Sequence, residues 1–447
     1  MSLNHIKEIV KRDGRILPYD RGKVEAAIYR AAYAEGGHDR TRAAYLAEHV
    51  ELTLNRNFTL NQRPTVEDVQ DAVEKTLIEH GHARTAKTFI LYRNERARMR
   101  KAPELHTRVP EAIPYPKIWQ RLAWNVRHGI PTIKDLNKKI ENGDFNDLII
   151  ESDAAYGEDV ALATRRIIDR KDEIRLVIIA GPSSSGKTTT TRKIAHRMAE
   201  EGLEFVALEL DNYFYDLDVH PTDDRGDHDF ETPAAIDIPL VNKHLADLLK
   251  GETIEMPIFD FKSGKRLKRT TPLKLSKGQI LLIDSLHGLS PELTASVPGE
   301  SKLKVYIETL CQLLDSQKEF VRWTDVRLLR RMIRDKQHRN HSLKQTLEHW
   351  HYVRKAEIRY IFPFVQEADV YVNGSMAYDL PVLKKYIYPF LERYLEDFID
   401  YEGYEDAPLR AKRVYRILRE VLEIDDDSII SPNSVLREFI GGSAYFS

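Results

Sequence analysis

The chain is poor in the features that would commit it to several large classes of protein. Of its 447 residues one is cysteine, Cys311, and a single thiol builds neither an internal disulfide nor a cysteine-based zinc site. Charge of one sign is lacking too: 68 Lys and Arg against 70 Asp and Glu leave a formal net charge of −2, so no overall basic field favours nucleic acid. No stretch approaches the ~20 apolar residues of a membrane span, and the opening from Met1 to Lys7 lacks the apolar core of a signal peptide. Internal repeats and low-complexity tracts are absent. These absences predict a cytoplasmic chain whose partner is a small molecule rather than nucleic acid or membrane. Its length is enough for about two or three domains, each with its own core.

What is present is concentrated between Leu176 and Thr191. A short apolar, β-branched run, Leu176 to Ala180, reads as a strand buried on both faces of a parallel sheet. Gly181, Gly186, Lys187 and Thr188 then satisfy G-x-x-x-x-G-K-[ST], and the residues from Arg192 to Leu203 look helical. Strand, glycine-bounded loop and helix together make a phosphate site. The glycines let backbone N–H groups of the loop point at phosphate oxygens, and the helix adds its positive end. Lys187 is expected on the β- and γ-phosphates of ATP and the Thr188 hydroxyl on Mg²⁺. Ser183, Ser184, Ser185 and Thr189 complete the expected cradle.

Further strands are expected at 205–210, ending at Asp211, and at 279–284, 303–308 and 368–373. Strands separated by helical segments predict a doubly wound parallel sheet covered on both faces, the α/β architecture of P-loop NTPases. Ligands of such sheets sit at the carboxyl ends of the strands, so Asp211, Asp284 and the loop are expected to converge. A carboxylate at Asp211 can accept the proton of an attacking hydroxyl, which a kinase requires. Asp284 closes an all-apolar strand, the setting of an acid that holds Mg²⁺. Capping the next turn is the alternative role for each.

A third cluster is basic: Arg327, Arg330, Arg331 and Arg334 between Asp325 and Asp335, then Arg339. On a helix Arg327, Arg331 and Arg334 share one face, and like charges at that spacing are unfavourable. The pattern predicts a bound polyanion under a helix that closes over ATP, with a solvated basic face as the alternative. His338, His341, His349 and His351 lack ligand spacing, and no metal is expected there.

The first hundred residues read as a separate, mainly helical unit. It opens on a hairpin from Ile9 to Tyr19 turning at Asp13 and Gly14, followed by a helix capped by Asp20. A capping box of Thr65 with Asp68 starts another helix, with Val69, Val73, Leu77 and Ile78 on one face. A last helix is expected from His82 to Met99. Pro103, Pro110, Pro114 and Pro116 mark a linker over 101–120, and two helical patterns fill 132–170.

The hairpin Val10-Lys-Arg-Asp-Gly14, the helix carrying Lys23 and the closing segment Ala86 to Arg93 resemble the ATP-cone domain. The resemblance implies a regulatory nucleotide near Val10, Lys11, Arg12 and Lys23; a solvated hairpin tip is the alternative. Residues 171–395 resemble the uridine kinase/phosphoribulokinase family. Five motifs carry the match: the P-loop, Asp211 to Phe214, Phe230 to Pro233, Pro257 to Phe261, and Thr324 to Asp335. The segment 262–266, the motif Ile283 to Gly288 and the tail Ser434 to Ser443 are similar to a bacterial nucleoside-kinase-like branch.

The resemblance implies a general base at Asp211 and a ribose-holding acid at Glu231. It also implies a base-side aromatic at Phe259, with Tyr213 among the substrate residues. Arg331 matches a substrate-side arginine, and Arg334 and Arg339 match arginines on the phosphates. Gly264 stands where pyrimidine nucleoside kinases carry a base-reading histidine, and His341 replaces a lid arginine. The expected organisation is an ATP-cone over 1–100, a linker and helical connector over 101–170, a P-loop nucleoside kinase domain over 171–400, and a C-terminal helix and tail over 401–447. The expected activity is ATP-dependent phosphorylation of a nucleoside 5′-hydroxyl by a homo-oligomer. A sugar-phosphate kinase and a non-catalytic nucleotide sensor are the alternatives.

Overall fold

A computed structural model describes residues 6–10, 16–33, 35, 37–59, 62–90, 113–221, 229–339, 341–396 and 406–445. The chain divides into two compact units, Met1–Val109 and Pro110–Ser447. In the first, β1 (Glu8–Val10) pairs antiparallel with β2 (Ile16–Pro18), Val10 opposite Ile16. The turn expected at Asp13 and Gly14, with Lys11 and Arg12, lies outside the described residues. Asp20 accepts from the Lys23 N–H (3.3 Å) at the start of α1 (Arg21–Tyr33). Then come α2 (Arg40–Asn57), α3 (Val66–Glu79) and α4 (residues 83–90).

The Thr65 box forms as its chemistry dictates: the Asp68 N–H donates to Thr65 Oγ1 (3.2 Å) and the Thr65 N–H to Asp68 Oδ2 (2.7 Å). Val24, Ile28, Val50, Val73 and Leu77 meet in one core. Ile78 does not join them. The buried face of α3 runs through Val73, Thr76 and Leu77, which turns Ile78 to solvent. The helix expected to reach Met99 is described only to residue 90.

In the second unit the linker expected through residue 120 ends earlier. Pro114 and Pro116 open α5 (Tyr115–Arg127), where a missing N–H costs nothing because first-turn donors have no intrahelical acceptor. α6 (Ile133–Glu141) and α7 (Phe145–Asp169) match the two helical patterns expected over 132–170. The chain then enters the sheet with β3 (Leu176–Ala180), α8 (Lys187–Glu200) and β4 (Phe205–Ala207). α8 starts at Lys187 itself, five residues before the predicted helical stretch. β4 stops at Ala207 rather than at Asp211, which lies in a 3₁₀ turn, Leu210–Tyr213.

After α9 (Ile238–Leu249), β5 (Thr253–Met256) begins an excursion through β6 (Phe259–Asp260) and β7 (Lys265–Arg266) to β8 (Thr271–Lys274). Two antiparallel ribbons result, β5 with β8 and β6 with β7. The sheet resumes with β9 (Ile280–Ser285) and β10 (Lys302–Glu308). The long helices α10 (Trp323–His338) and α11 (Leu343–Tyr360) precede β11 (Val370–Asn373). The chain closes with α12 (Asp379–Glu396), α13 (Asp406–Glu420) and the single turn α14 (Arg437–Ile440).

Five strands form one parallel sheet in the order β11-β10-β3-β9-β4. Alternation along the strands gives the sheet two cores: Val177, Ile179, Leu282 and Val305 face one, Ile178, Leu281, Ile283 and Tyr306 the other. β3 lies between β9 and β10, so the strands after it fill first one side (β4, β9) and then the other (β10, β11). The crevice at that switch point, above the strands' carboxyl ends, is where such sheets bind ligands. No helix among the described residues is long and apolar enough to cross a membrane.

α10 is stapled beneath this crevice by buried ion pairs. Arg327 meets Glu308 (2.8 Å) and Glu357 (2.5 and 2.9 Å) and donates to the Ser183 carbonyl (3.1 Å). Arg330 grips Asp379 through Nε and Nη2 (2.7–3.0 Å) and reaches the Gly374 carbonyl (2.8 Å). Both guanidiniums are wholly buried, so these two arginines face protein carboxylates rather than the expected polyanion. Removing one member of such a pair strands the other charge in a low-dielectric interior. Asp379→Ala is therefore expected to lower unfolding free energy by about 3–5 kcal/mol, read from urea melts of the nucleotide-free protein.

Candidate active site

The loop between β3 and α8 is built from backbone conformations that few residues tolerate. Gly186 has φ +96°, and a Cβ there would lie 2.5 Å from Val435 Cγ2; at Gly181 it would meet the Ile307 carbonyl at 2.3 Å. Ser184 is held at φ +61°, a cost typical of functional loops. Lys187 sits at the first position of α8, its Nζ 3.2 Å from the Pro182 carbonyl. Burial lowers its pKa, opposed first by Asp284. The Ser183 hydroxyl accepts from Arg331 Nη1 (3.0 Å). The buried Ser184 and Ser185 hydroxyls have no partner among the described residues.

Thr189, expected on a phosphate, is already engaged. Its N–H (3.0 Å) and hydroxyl (2.7 Å) both donate to Glu438 of α14. A carboxylate thus rests on the positive end of α8, where a phosphate would otherwise be favoured. The tail motif containing Glu438 was legible, but its contact with Thr189 was not, because it spans 249 positions.

Asp284, near the carboxyl end of β9, shares a hydrogen bond with the Thr188 hydroxyl, and burial raises its carboxyl pKa to about 6. Asp211 lies in the field of Lys187 and Arg339, and burial raises its pKa as well. Both acids act on each other electrostatically. The expected convergence of P-loop, Asp211 and Asp284 is therefore present even though β4 stops short.

Opposite them, Arg331 ties three elements together: Nη1 donates to Glu231 Oε1 (2.9 Å) and to Ser183, and Nε to Asp335 (3.1 Å). This guanidinium holds the half-buried Glu231 ionised, and the carboxyl pKa is lowered although desolvation opposes it. His287 lies beside Glu231, buried, with both ring nitrogens lacking a hydrogen-bond partner of good geometry. Burial pushes its pKa down to about 4, so it is neutral at pH 7. The motif containing His287 was legible, but its place in the site was not. Asp335 gathers Arg331, Arg334 (3.1 Å) and Arg339 (3.7 Å). Burial lowers the Arg334 pKa to about 10, with Arg339 adding to the effect. His341 contributes a backbone N–H to the Asp335 carbonyl (3.1 Å).

Phe259 is buried in an aromatic cluster, its ring 5.8 Å from Phe214 and 5.0 Å from the exposed Phe261, with Phe230 5.3 Å from Phe214. Tyr213 departs from expectation. Its side chain is wholly buried and its hydroxyl pairs with His244 (2.8 Å), so it faces the core rather than the crevice. Gly264 has φ +66°, and a Cβ there would sit 2.1 Å from Leu217 Cδ1. Leu217 thus fills the space a base-reading side chain would need. In the first unit Val10 donates its N–H to the Pro64 carbonyl (3.0 Å), and Lys23 is exposed beside Asp20 (3.6 Å).

No group of three His, Cys, Asp or Glu suited to a metal occurs among the described residues. Mg²⁺ does not require one, since it is usually held by one or two carboxylates together with phosphate oxygens. The hard-oxygen pair Asp284 and Thr188 fits that chemistry.

The chain is similar in sequence to known proteins. Residues 176–380 match the phosphoribulokinase/uridine kinase family model, and residues 7–98 the ATP cone domain model. A uridine kinase of Deinococcus deserti is 30% identical over 44% of this chain and 87% of its own length. A uridine kinase of Halobacterium salinarum is 28% identical over 43% of this chain and 77% of its own. A solved structure described as a possible uridine kinase from Bacillus stearothermophilus aligns with 48% of this chain and 98% of its own, at 17% identity and a TM-score of 0.34.

Burial of Asp284 has a measurable cost. Its carboxyl holds a proton more tightly in the folded chain, with a pKa of about 6, than in the unfolded one near 3.8. Its penalty on folding is thus full above about pH 6 and fades as pH falls toward 4. Asp284→Asn is expected to stabilise the nucleotide-free protein by roughly 1–3 kcal/mol at pH 7.5 and by clearly less at pH 5. Denaturant midpoints that shift equally at both pH values would contradict this.

Proposed function

The chain belongs to the phosphoribulokinase/uridine kinase family and is an ATP-dependent kinase, and on that premise we propose that it phosphorylates the 5′-hydroxyl of a nucleoside. The observation that carries the nucleoside reading is the pairing of Arg331-held Glu231 with the aromatic cluster around Phe259. A carboxylate fixed in its ionised form accepts hydrogen bonds from two vicinal hydroxyls, and an aromatic ring stacks on a base. A sugar phosphate would instead demand an unpaired cation at that position, where Arg331 already serves Glu231 and Asp335.

In this reading the substrate oxygen attacks the γ-phosphorus, the bond to the β-phosphate oxygen breaks, and the hydroxyl proton passes to Asp211. A pKa raised by burial suits that carboxylate for the role. Lys187 and the loop N–H groups hold the phosphates, while Arg334 and Arg339 offset charge on the transferring group. Asp284 and Thr188 would hold Mg²⁺, which would supply neutralisation of phosphate charge. Neutral His287 lies where it can share a ribose hydroxyl with Glu231. For bound nucleotide to reach the Thr189 N–H, Glu438 must give way. The unit spanning 7–98 is proposed to bind an adenine nucleotide near Val10, Lys11, Arg12 and Lys23 and to regulate the kinase.

Gly264 offers no side chain to a base and Leu217 fills its space, while Phe259 stacks without hydrogen bonding, so discrimination among bases is expected to be weak. With ATP and Mg²⁺, kcat/KM for uridine, cytidine, inosine and adenosine is expected to agree within about a hundredfold, and Glu231→Gln is expected to depress all four alike. Turnover of a sugar phosphate but of none of these nucleosides would overturn the reading.

A further inference from the structure

The charges buried beneath α5 do not balance. α5 turns Arg121 and Asn125 inward and leaves Trp119 and Val126 exposed, the reverse of the usual amphipathic arrangement. Arg121 is 6% exposed; its guanidinium lies 4.5 Å from the Trp124 ring centroid, and its Nε has no hydrogen-bond partner. The two carboxylates whose field reaches it, Asp159 and Asp379, serve other cations. Asp379 is gripped by Arg330 and also accepts the Met376 N–H (2.8 Å). Asp159 takes the Lys117 amine on one oxygen and the Asn373 N–H (2.9 Å) on the other. Three cations, Lys117, Arg121 and Arg330, thus share two carboxylates, leaving one positive charge surplus in the interior. An uncompensated buried charge is among the costliest features a fold can retain.

Beside this guanidinium is a cavity of about 70 Å³ lined by Arg121, Lys117, Arg127, Ser152, Tyr156 and Ser375. That is roughly the space of two waters, enough for a phosphate group and too little for a nucleoside. Water alone could meet the orphan Nε–H but would leave the charge surplus in place. Arg127 and Glu158, exposed on the lining, carry opposite charges and do not change that count.

We propose that this cavity is a second ligand site that takes one phosphate-sized oxyanion, either free inorganic phosphate or the phosphate head of a small metabolite. Arg121 is its principal donor. The site stands apart from the kinase crevice yet bears on it. Asn373 and Ser375 line the cavity, and Gly374 between them backs onto the P-loop so closely that a Cβ there would lie 2.3 Å from the Ser185 carbonyl. Arg330, which shares the same buried charge cluster, fixes the Gly374 carbonyl from the other side.

The test uses the full chain with its crevice saturated by Mg²⁺ and a non-hydrolysable ATP analogue, so that added anion cannot occupy the P-loop. Inorganic phosphate titrated calorimetrically at constant ionic strength is expected to fill one saturable site, weakened at least tenfold in Arg121→Met and several-fold in Arg127→Ala. In chloride buffer without phosphate Arg121→Met is expected to melt above the wild type, because it removes an unpaired buried charge. Phosphate should raise the melting temperature of the wild type only. In a second arm, displacement of phosphate by glycerol 3-phosphate identifies a metabolite head group, and its failure to displace identifies the free ion. The proposal is overturned if phosphate shows no saturable binding, or if Arg121→Met binds it as the wild type does. Should Arg121→Met not fold, undiminished binding by Arg127→Ala overturns it equally.

Discussion

Five guanidinium groups on and just beyond α10 must each find negative charge, and where that charge sits shapes the kinase crevice. Arg327 and Arg330 find it inside the protein, on Glu308, Glu357 and Asp379. Those pairs lock α10 against β10, α11 and α12, and through the Ser183 and Gly374 carbonyls they also hold the P-loop and the turn behind it. The other three, Arg331, Arg334 and Arg339, converge on the single buried carboxylate of Asp335. Even with Glu231 on Arg331, two carboxylates cannot neutralise three guanidiniums, so this end of α10 stays electropositive. In the proposed reaction the phosphoryl group in transfer would supply the missing negative charge. The division between satisfied and unsatisfied arginines makes the helix a structural strut and, in the proposed reaction, part of a phosphate site.

The same economy of charge recurs at the helix that opens the P-loop. The N–H groups at the start of α8 attract anions, and Glu438 supplies one from the far end of the chain. Val435, three residues earlier, presses on Gly186. The carboxyl-terminal turn therefore completes the wall of the site from outside the α/β core. Loop strain at Ser184 and burial of Asp284 and Lys187 all work against stability at this one place, as is usual where function sets the arrangement.

Much of this was legible in the sequence, and the limits have physical causes. Apolar runs at β3, β9 and β10 are fully buried strands, and burial on both faces leaves an unmistakable pattern. β4 is shorter than its apolar run suggested because the chain turns into a 3₁₀ segment at Leu210, which apolar content alone does not report. Pro114 and Pro116 read as linker because proline breaks helices, yet proline also starts them. On α10, spacing placed Arg327, Arg331 and Arg334 on one face correctly, but it could not say that Arg327 faces Glu308 and Glu357, since those partners are distant in sequence. Tyr213 sits within a substrate motif and still points to the core, because a 3₁₀ turn alternates its side chains differently from a strand. Glu438, His287 and Arg121 owe their roles to tertiary neighbours alone.

The central claim is that Asp211, raised in pKa by burial and set in the field of Lys187, takes the proton from the substrate hydroxyl. Single-turnover phosphotransfer by Asp211→Asn, measured alongside equilibrium ATP binding, tests it most directly. The account predicts a rate lowered by roughly 10²–10⁴-fold with ATP affinity essentially unchanged, since the P-loop and Arg334 are untouched. Near-normal turnover in that variant, or a loss of rate matched by an equal loss of ATP binding, would contradict it.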